Sequence, residues 1–436
     1  MSQQLISLNP CLQKLQQEGY SLEVCGGFLV IHHIPYLNAN REILEGKLIM
    51  SLNLSGNKVL KPQDHTAYWS GGIPYEMNGC KVSALINDSI HRTHGNGLES
   101  DHFLSCKPDK EIYSDQKYPS YYEKVLTNCQ RISTPADLVN KDICNRIRNQ
   151  VVQCSSESVF QYADTNSTRS DILSLSKVFE SQKVAIVGVG GTDSYLLDYL
   201  AKMPIKEIHL YDDDLFNTHN AFRCPGAASI ESLNECMPKV EYLKGIYSNM
   251  HKGIYAHNER LTSSNITQLD EMNAVFICVD KACVRNLIAS HLIEHEILFV
   301  DSGLGIRKEV NSLSGQIRIT TGYAQNYDHV SSSFGTDMEI DDEYSSNIQI
   351  AELNSLAAVI MLIKWKRMMN YYSNTVIDNL QNRYWSYSLN GLQCRPVTAR
   401  GAGSNPVGTA IKIKTYENNE AKTLIVYVSL EQLVLK

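Results

Sequence analysis

The feature that most restricts the fold is a short apolar run ending on a glycine loop. Val184-Ala-Ile-Val187 is continuous, as suits a strand buried on both faces, and Gly188-Val-Gly-Gly-Thr-Asp-Ser194 comes directly after it. Glycines here free the backbone to turn sharply and to approach another group closely. The next residues, Tyr195 to Lys202, have helical spacing, so the loop would open a helix whose unpaired N–H groups and dipole favour an anion. Gly188, Gly190, Gly191 and Thr192 are therefore the candidate contacts to a nucleotide phosphate. The unit predicts nucleotide binding without saying which chemistry the nucleotide serves, and a dehydrogenase would fit as well.

The pattern repeats. Glu207–Tyr211, Ala274–Val279 and Leu298–Val300 are further apolar runs, with amphipathic stretches at Tyr195–Lys202, Val240–His251 and Val284–His295. Strands alternating with helices in this way predict a doubly wound, mostly parallel α/β sheet of the Rossmann-like kind. A helix over Ile348–Tyr372, with Ile350, Leu353, Ala357, Ile360, Met361 and Trp365 at helical spacing, is expected to close that domain as core packing. The first third reads differently, as a β-rich α+β domain. Ser21–Cys25 and Phe28–Ile34 flank Gly26-Gly27, a two-residue hairpin signal, and helical stretches come later at Tyr121–Cys129 and Asp142–Val152. Cys154–Ser170 is rich in Ser, Asn and Thr and reads as a linker. A chain of 436 residues exceeds one ordinary core, so the expected division is 1–155, an accessory α+β domain; 156–182, a linker with a leading helix; 183–390, the α/β domain; and 391–436, a tail.

Composition excludes several classes. A net charge of −7, with no dense basic block, argues against a nucleic-acid partner. The first residues show no basic segment leading into an apolar run, and the most apolar stretch, Ala357–Leu362, is bounded by Glu352, Lys364, Lys366 and Arg367. That span is too short for a bilayer, so a cytoplasmic protein without a membrane partner is expected. There are twelve cysteines but no CxxC pair, so a four-thiolate zinc site is not expected and the thiols read as free.

Asp212 ends the second strand about twenty residues past the loop, where a carboxylate commonly meets ribose hydroxyls in either nucleotide class. The segment from Asp212 to Arg223 separates the classes. Its sequence, Asp212-Asp-Asp214-Leu-Phe-Asn-Thr-His-Asn220-Ala-Phe-Arg223, resembles the D-x-D and N-x-x-R motifs of the ThiF, MoeB and ubiquitin-activating enzyme superfamily. Pro238-Lys239 at a helix start, Asp280 after the third buried strand, Ser302-Gly303 and Gly315-Gln-Ile317 continue the resemblance in register, over roughly Arg169 to Asn390. Members adenylate the C-terminal glycine of a ubiquitin-like protein. The resemblance implies that Asn220, Arg223 and Lys239 contact the phosphates of ATP, that Asp280 holds Mg²⁺, and that Asp212 binds ribose with Asp214 beside it. It also implies that Arg169 serves a partner subunit's site in a homodimer. Taken singly, each residue has a plainer role: Arg and Lys as surface charges, Asp280 as a helix cap, Asp214 as a local partner of Arg223.

Four features stand out beside the resemblance. Asp193 occupies the position of the loop's third glycine, either as a harmless cap or as a negative charge that weakens ATP binding. No cysteine lies between Val284 and Gln393, so the loop 323–347 offers Ser331, Ser332, Ser333 and Thr336 but no thiol. Relatives that form thioesters carry a cysteine there, so the adenylate either passes directly to a separate carrier or gives an oxyester, with Cys224 a remote alternative. The N-terminal region resembles an uncharacterised domain that accompanies ThiF-like domains in bacterial proteins, and recognition of the ubiquitin-like partner or a carrier is its expected role. His65, His91 and His94 within it read as ordinary loop histidines more readily than as metal ligands. The tail from Cys394 to Gly408 resembles translated tRNA-gene sequence and carries no expected role. The whole points to activation of a ubiquitin-like protein for transfer to a conjugating enzyme. The rivals are a scaffold with a closed nucleotide site and a nicotinamide-dependent oxidoreductase.

Overall fold

A computed structural model describes residues 2–82, 85–140, 158–323, 327–330 and 348–372, and the backbone of strands 384–388, 393–395, 409–417 and 420–428. The chain divides into two units, Met1–Lys177 and Val178–Lys436.

The first unit begins with helices α1 (Ser2–Leu8) and α2 (Pro10–Gln17). Next come strands β1 (Ser21–Cys25), β2 (Phe28–Leu37), β3 (Ile43–Ser51), β4 (Leu54–Ser55), β5 (Lys58–Val59), β6 (Thr66–Ser70), β7 (Ile86–Asp88), β8 (Arg92–Gly95), β9 (Leu98–Ser100) and β10 (His102–Ser105). Helices α3 (Tyr121–Val139) and α4 (Thr165–Arg169) complete it. Six strands form an antiparallel sheet in the order β1-β2-β3-β6-β10-β7. The expected hairpin is present: Cys25 pairs with Phe28 across Gly26 and Gly27, whose φ values of 56° and 84° are what a type I′ turn requires. Tyr121, Val125, Cys129 and Ile132 of α3 pack with Leu12, Leu15 and Trp69 in the core of this unit. That apolar spacing continues to Ala136, so α3 runs ten residues past the expected end, through Pro135. The stretch expected to link the domains contains α4, because Asp164 accepts hydrogen bonds from the N–H groups of Asn166 and Ser167 at 3.1 and 3.0 Å and so starts a helix. The helix expected over Asp142–Val152 lies outside the described residues.

The second unit opens with β11 (Lys183–Val187), α5 (Thr192–Leu200) and β12 (Glu207–Tyr211). Three helices, α6 (Thr218–Ala221), α7 (Ile230–Asn234) and α8 (Lys239–Tyr247), lead to β13 (Ile254–His257) and β14 (Ala274–Ile277). Then come α9 (Ala282–Glu294), β15 (Leu298–Lys308), β16 (Leu313–Gly322) and α10 (Ala351–Met368). Strands β17 (Tyr384–Ser388) and β18 (Gln393–Arg395) finish the sheet, while β19 (Thr409–Glu417) and β20 (Glu420–Val428) form a separate two-stranded ladder. The eight-stranded order is β13-β12-β11-β14-β15-β16-β17-β18, parallel from β13 through β15 and antiparallel beyond.

The first strand shows why the apolar run is unbroken. Val184 and Ile186 face a core shared with α5, α8 and α10, whereas Ala185 and Val187 face a second core with Leu269, Ile288 and Leu292. Helices therefore cover both faces, as the sequence predicts. β13 is not predicted by the sequence, because as the edge strand it buries only Ile254 fully and lacks an apolar run. The chain moves outward from β11 to β12 and β13, then returns to place β14 on the other side of β11. Such a reversal leaves a crevice at the carboxyl ends of the strands.

Gly315 shows what its motif needs. Its φ is +144°, and an added Cβ would stand 2.0 Å from the Gly305 carbonyl oxygen. Gly315→Ala is expected to cost about 1–3 kcal/mol from backbone strain, read as a fall in the urea midpoint. Gly305→Ala is expected to change that midpoint little, since its Cβ would meet nothing nearer than 3.9 Å.

No described helix is long and apolar enough to cross a membrane. Among the described cysteines, Cys11, Cys80, Cys106, Cys129, Cys224, Cys236, Cys278 and Cys283 are free as expected, but Cys25 is disulfide-bonded.

Candidate functional site

A cleft of about 240 Å³ lies at the reversal of strand order. It is lined by the Gly188–Asp193 loop after β11, by Asp212, Asp213 and Asp214 after β12, and by Val279, Asp280 and Lys281 after β14. Arg223, Lys239, Arg260, Arg285, Ser302 and Gln349 complete most of its polar wall.

The loop is built around close backbone contacts. Gly188 has φ +86°, and a Cβ there would lie 2.9 Å from the Cys278 carbonyl oxygen, so only glycine fits. Val189 N–H donates to Asp212 Oδ2 at 2.7 Å, and Gly190 N–H donates to Asp193 Oδ2 at 2.6 Å. Asp193 sits in the first turn of α5 and is 2% exposed. Burial, helped by the Asp212 charge, pushes its carboxyl up to about 8, against the opposing pull of the Gly190 N–H and Lys239. At neutral pH it therefore holds its proton and adds no full negative charge to the loop.

That state has a measurable sign. The folded carboxyl keeps its proton to about pH 8, whereas an ordinary carboxyl, at 3.8, has lost it. The unfolded chain binds fewer protons in this window, so Asp193 makes stability fall as pH rises from about 4 to about 8. Asp193→Asn keeps an acceptor for the Gly190 N–H and removes the titration. The variant is expected to match the wild type near pH 4 and to exceed it increasingly up to pH 8, as read from urea midpoints.

Two cations face this loop. Lys239 is the first residue of α8, is 6% exposed, and its N–H donates to the Asp214 carbonyl at 2.9 Å. Its Nζ donates to Asp214 Oδ2 at 2.6 Å and to Asp212 Oδ1 at 3.3 Å. Burial pulls the Lys239 pKa down, but the bond to Asp214 and the charges of both carboxylates outweigh it and hold the ammonium charged. The same bond, more than the nearby Arg223 charge, lowers the Asp214 pKa. Asp214 thus pairs with Lys239, in place of the Arg223 partner that the plainer reading of the sequence assigns it. The Arg223 guanidinium faces Gly190, and its buried Nε has no hydrogen-bond partner among the described residues.

Not every residue named from sequence reaches the cleft. Gly188, Gly190, Gly191, Thr192, Asp212, Asp214, Arg223, Lys239 and the exposed Asp280 all line it. Asn220 does not: it is buried, and its Oδ1 accepts from the Asn217 N–H at 2.9 Å as part of a capping box on α6. Its Nδ2, like Arg223 Nε, is buried without a partner among the described residues. Arg169 is the exposed last residue of α4 in the first unit and is not among the lining residues. Ser331, Ser332, Ser333 and Thr336 lie outside the described residues. Cys224 Sγ donates to the Gly190 carbonyl at 3.1 Å, and burial pushes its thiol up to about 11, so it is a poor nucleophile at neutral pH. In the first unit His91 pairs with Asp101, while His94 is not in a loop as expected but is buried in β8, where it bonds Ser100 Oγ at 2.7 Å.

Two supports of the cleft go unrecognised in the sequence. Arg285 of α9 is 2% exposed, bonds the Val279 and Ser302 carbonyls at 2.6 and 3.2 Å, and pairs with buried Asp301 at 2.7 Å. It ties the segment after β14 to the middle of β15 at the cleft wall. Asn354 of α10, wholly buried in the apolar stripe, accepts from Thr192 Oγ1 at 3.3 Å and donates to the Arg223 carbonyl at 3.4 Å. A polar residue at a core-facing position is the available signal in both cases.

A parallel sheet reversing at a glycine loop, with carboxylates and cations gathered there, defines a nucleotide-site α/β protein. The chain belongs to the ThiF family, which it matches over residues 168–405, and residues 10–165 match a domain of unknown function, DUF6791. The adenylyltransferase and sulfurtransferase UBA4 of Lodderomyces elongisporus is 31% identical over 160 residues, 36% of this chain and 32% of that protein. The Saccharomyces cerevisiae protein of the same name is 28% identical over 138 residues, 31% of each. The chain thus spans about a third of the length of these curated relatives. Among solved structures, E. coli MccB with ATP is similar at 15% identity and a TM-score of 0.42, covering 53% of this chain and 71% of that one. PaaA is similar at 14% identity and a TM-score of 0.40, covering 77% and 96%.

Proposed function

We propose that the cleft binds ATP and that the chain adenylates the C-terminal glycine of a ubiquitin-like protein, for transfer to a conjugating enzyme or another acceptor. The observation that carries this reading is the meeting of Lys239 and Arg223 with Asp212 and Asp280 around the N-terminus of α5. In the reaction a carboxylate oxygen bonds to the α-phosphorus, the bond to the β-phosphate oxygen breaks, and pyrophosphate leaves with its electron pair. Two anions must be held together while charge builds on the leaving group, which fixed cations in a narrow cleft favour. The buried Arg223 Nε, which has no partner among the described residues, fits an anion as a missing acceptor. Asp212 is the ribose candidate, although its carboxylate already engages Val189 and Lys239. Asp280 is the candidate ligand for Mg²⁺, which when bound supplies charge neutralisation at phosphate oxygens. The names of the UBA4 relatives support adenylyl transfer. The reading includes a homodimer in which Arg169 serves the partner's site, and a first unit that recognises the ubiquitin-like protein or its carrier. It also takes the setting to be cytoplasmic and bacterial, with antiviral defence as the use.

A dehydrogenase has no comparable use for Lys239 and Arg223 as a pair. Calorimetric titration with ATP and with NAD, both with Mg²⁺, tests the choice: ATP binding lost in Arg223→Ala supports the proposal, whereas tight NAD binding alone contradicts it. One observation favours a second reading, a scaffold that no longer turns over. The Asp193 carboxyl occupies the Gly190 N–H that a phosphate would otherwise meet. ATP binding seen in Asp193→Gly but not in the wild type would establish that reading.

A further inference from the structure

We propose that the C-terminal end of α9 holds a second site, for a zinc-class transition-metal ion, formed by Asp270, His291 and His295. The inference does not rest on the nucleotide reading. His291 is in the last turn of α9 and His295, four residues on, is its C-terminal cap, so the two rings come to the same side of the helix end. Their rings lie 4.1 Å apart at 31° to one another. Asp270, which caps the 3-10 turn Ile266–Leu269, reaches the same place, with its Oδ1 2.7 Å from His291 Nε2. One ligand atom from each residue falls within 4.8 Å of the others. Tetrahedral zinc places ligand atoms about 3.4 Å apart, so small side-chain rotations close the set.

The surroundings suit a metal in a further way. His295 Nδ1 lies 2.9 Å from the His291 carbonyl, and donation there leaves Nε2 unprotonated. A metal-bound imidazole is commonly fixed through its other nitrogen in this manner. Two imidazoles and one carboxylate favour zinc, copper or nickel over magnesium or calcium. The ion would displace the proton shared by His291 and Asp270 to solvent, and water would complete its shell. Hydrogen bonding within the fold accounts for the His291–Asp270 pair and for His295 Nδ1 at the end of α9, and leaves His295 Nε2 as the nitrogen open to a metal. His291 and His295 lie six and ten residues beyond the cleft-lining Arg285, about 9 and 15 Å along the helix axis. The ion would therefore link α9 to the 3-10 turn and leave the nucleotide contacts untouched.

The test is zinc titration of the full chain, stripped with EDTA, in excess Mg²⁺ to saturate the cleft carboxylates. One zinc per chain is expected. His291→Ala, His295→Ala and Asp270→Asn should each weaken binding at least 10–100-fold, the loss that even outer-shell partners carry. Cobalt should give a tetrahedral visible spectrum in the wild type that the His291→Ala/His295→Ala double variant lacks. Melting in EDTA confirms that the variants fold, and Asp270→Asn, which keeps an acceptor for His291, guards against loss of the helix end. No zinc bound by the wild type, or binding that all three variants retain, overturns the proposal.

Discussion

Lys239→Ala is expected to lower kcat/KM for adenylation by about 10²–10³-fold, the loss typical of removing one preorganised electrostatic contact to a transition state. Lys239 starts α8, so its backbone is fixed by the helix and by the Asp214 carbonyl, and the carboxylates of Asp212 and Asp214 hold its side chain. The ammonium is thus aimed before any ligand arrives. Loss of a merely structural ion pair would act through stability, yet Asp214 is 65% exposed and rehydrates readily. The measurement is kcat/KM with melting temperature alongside: a fall in rate much larger than any loss of folded protein supports the role. Lys239→Arg is expected to rescue poorly, because a planar fork cannot replace a point charge between two carboxylates.

Arg285→Leu is expected to destabilise the second unit by about 3–5 kcal/mol, because it strands a buried carboxylate. Asp301 is wholly buried, and its other cation, Arg318, stands 3.6 Å away. Burial already pushes the Asp301 carboxyl above its ordinary value despite both guanidiniums. Without Arg285 it would favour the protonated form further, so the penalty should be smaller at pH 5 than at pH 8. Urea midpoints at the two pH values check this. Asp301→Asn placed in the Arg285→Leu background should recover part of the loss by removing the charge.

Much of this is legible in the sequence because burial on both faces forces unbroken apolar runs. β11 and β14 stand out that way, whereas β12 carries Glu207 and His209 at partly buried positions, and the reversal at β14 then locates the cleft. The glycine loop is legible because Gly188 has no room for a side chain. The illegible parts share a physical cause. β13 is an edge strand, and the second half of β15 pairs with β16 beyond the fully buried stretch, so neither has a continuous apolar run. Lys239 and Asp214 are 25 residues apart, and only the fold brings them to 2.6 Å. Asp193 cannot be judged as a residue type, since its charge depends on burial that sequence does not display. Asn220 resembles a phosphate contact, and the sequence does not show that its amide oxygen caps α6 while Nδ2 has no partner among the described residues. Arg285 and Asn354 sit among apolar helix residues, and their roles appear only when the fold brings segments distant in sequence together.

The central claim is best tested by ATP–pyrophosphate exchange, using the full chain with candidate ubiquitin-like proteins that end in glycine. The account predicts exchange that requires the partner's C-terminal carboxylate and falls to background in both Lys239→Ala and Arg223→Ala. Exchange that is indifferent to the partner's C-terminus or to either substitution would contradict it, as would its absence with every partner while Asp193→Gly restores it.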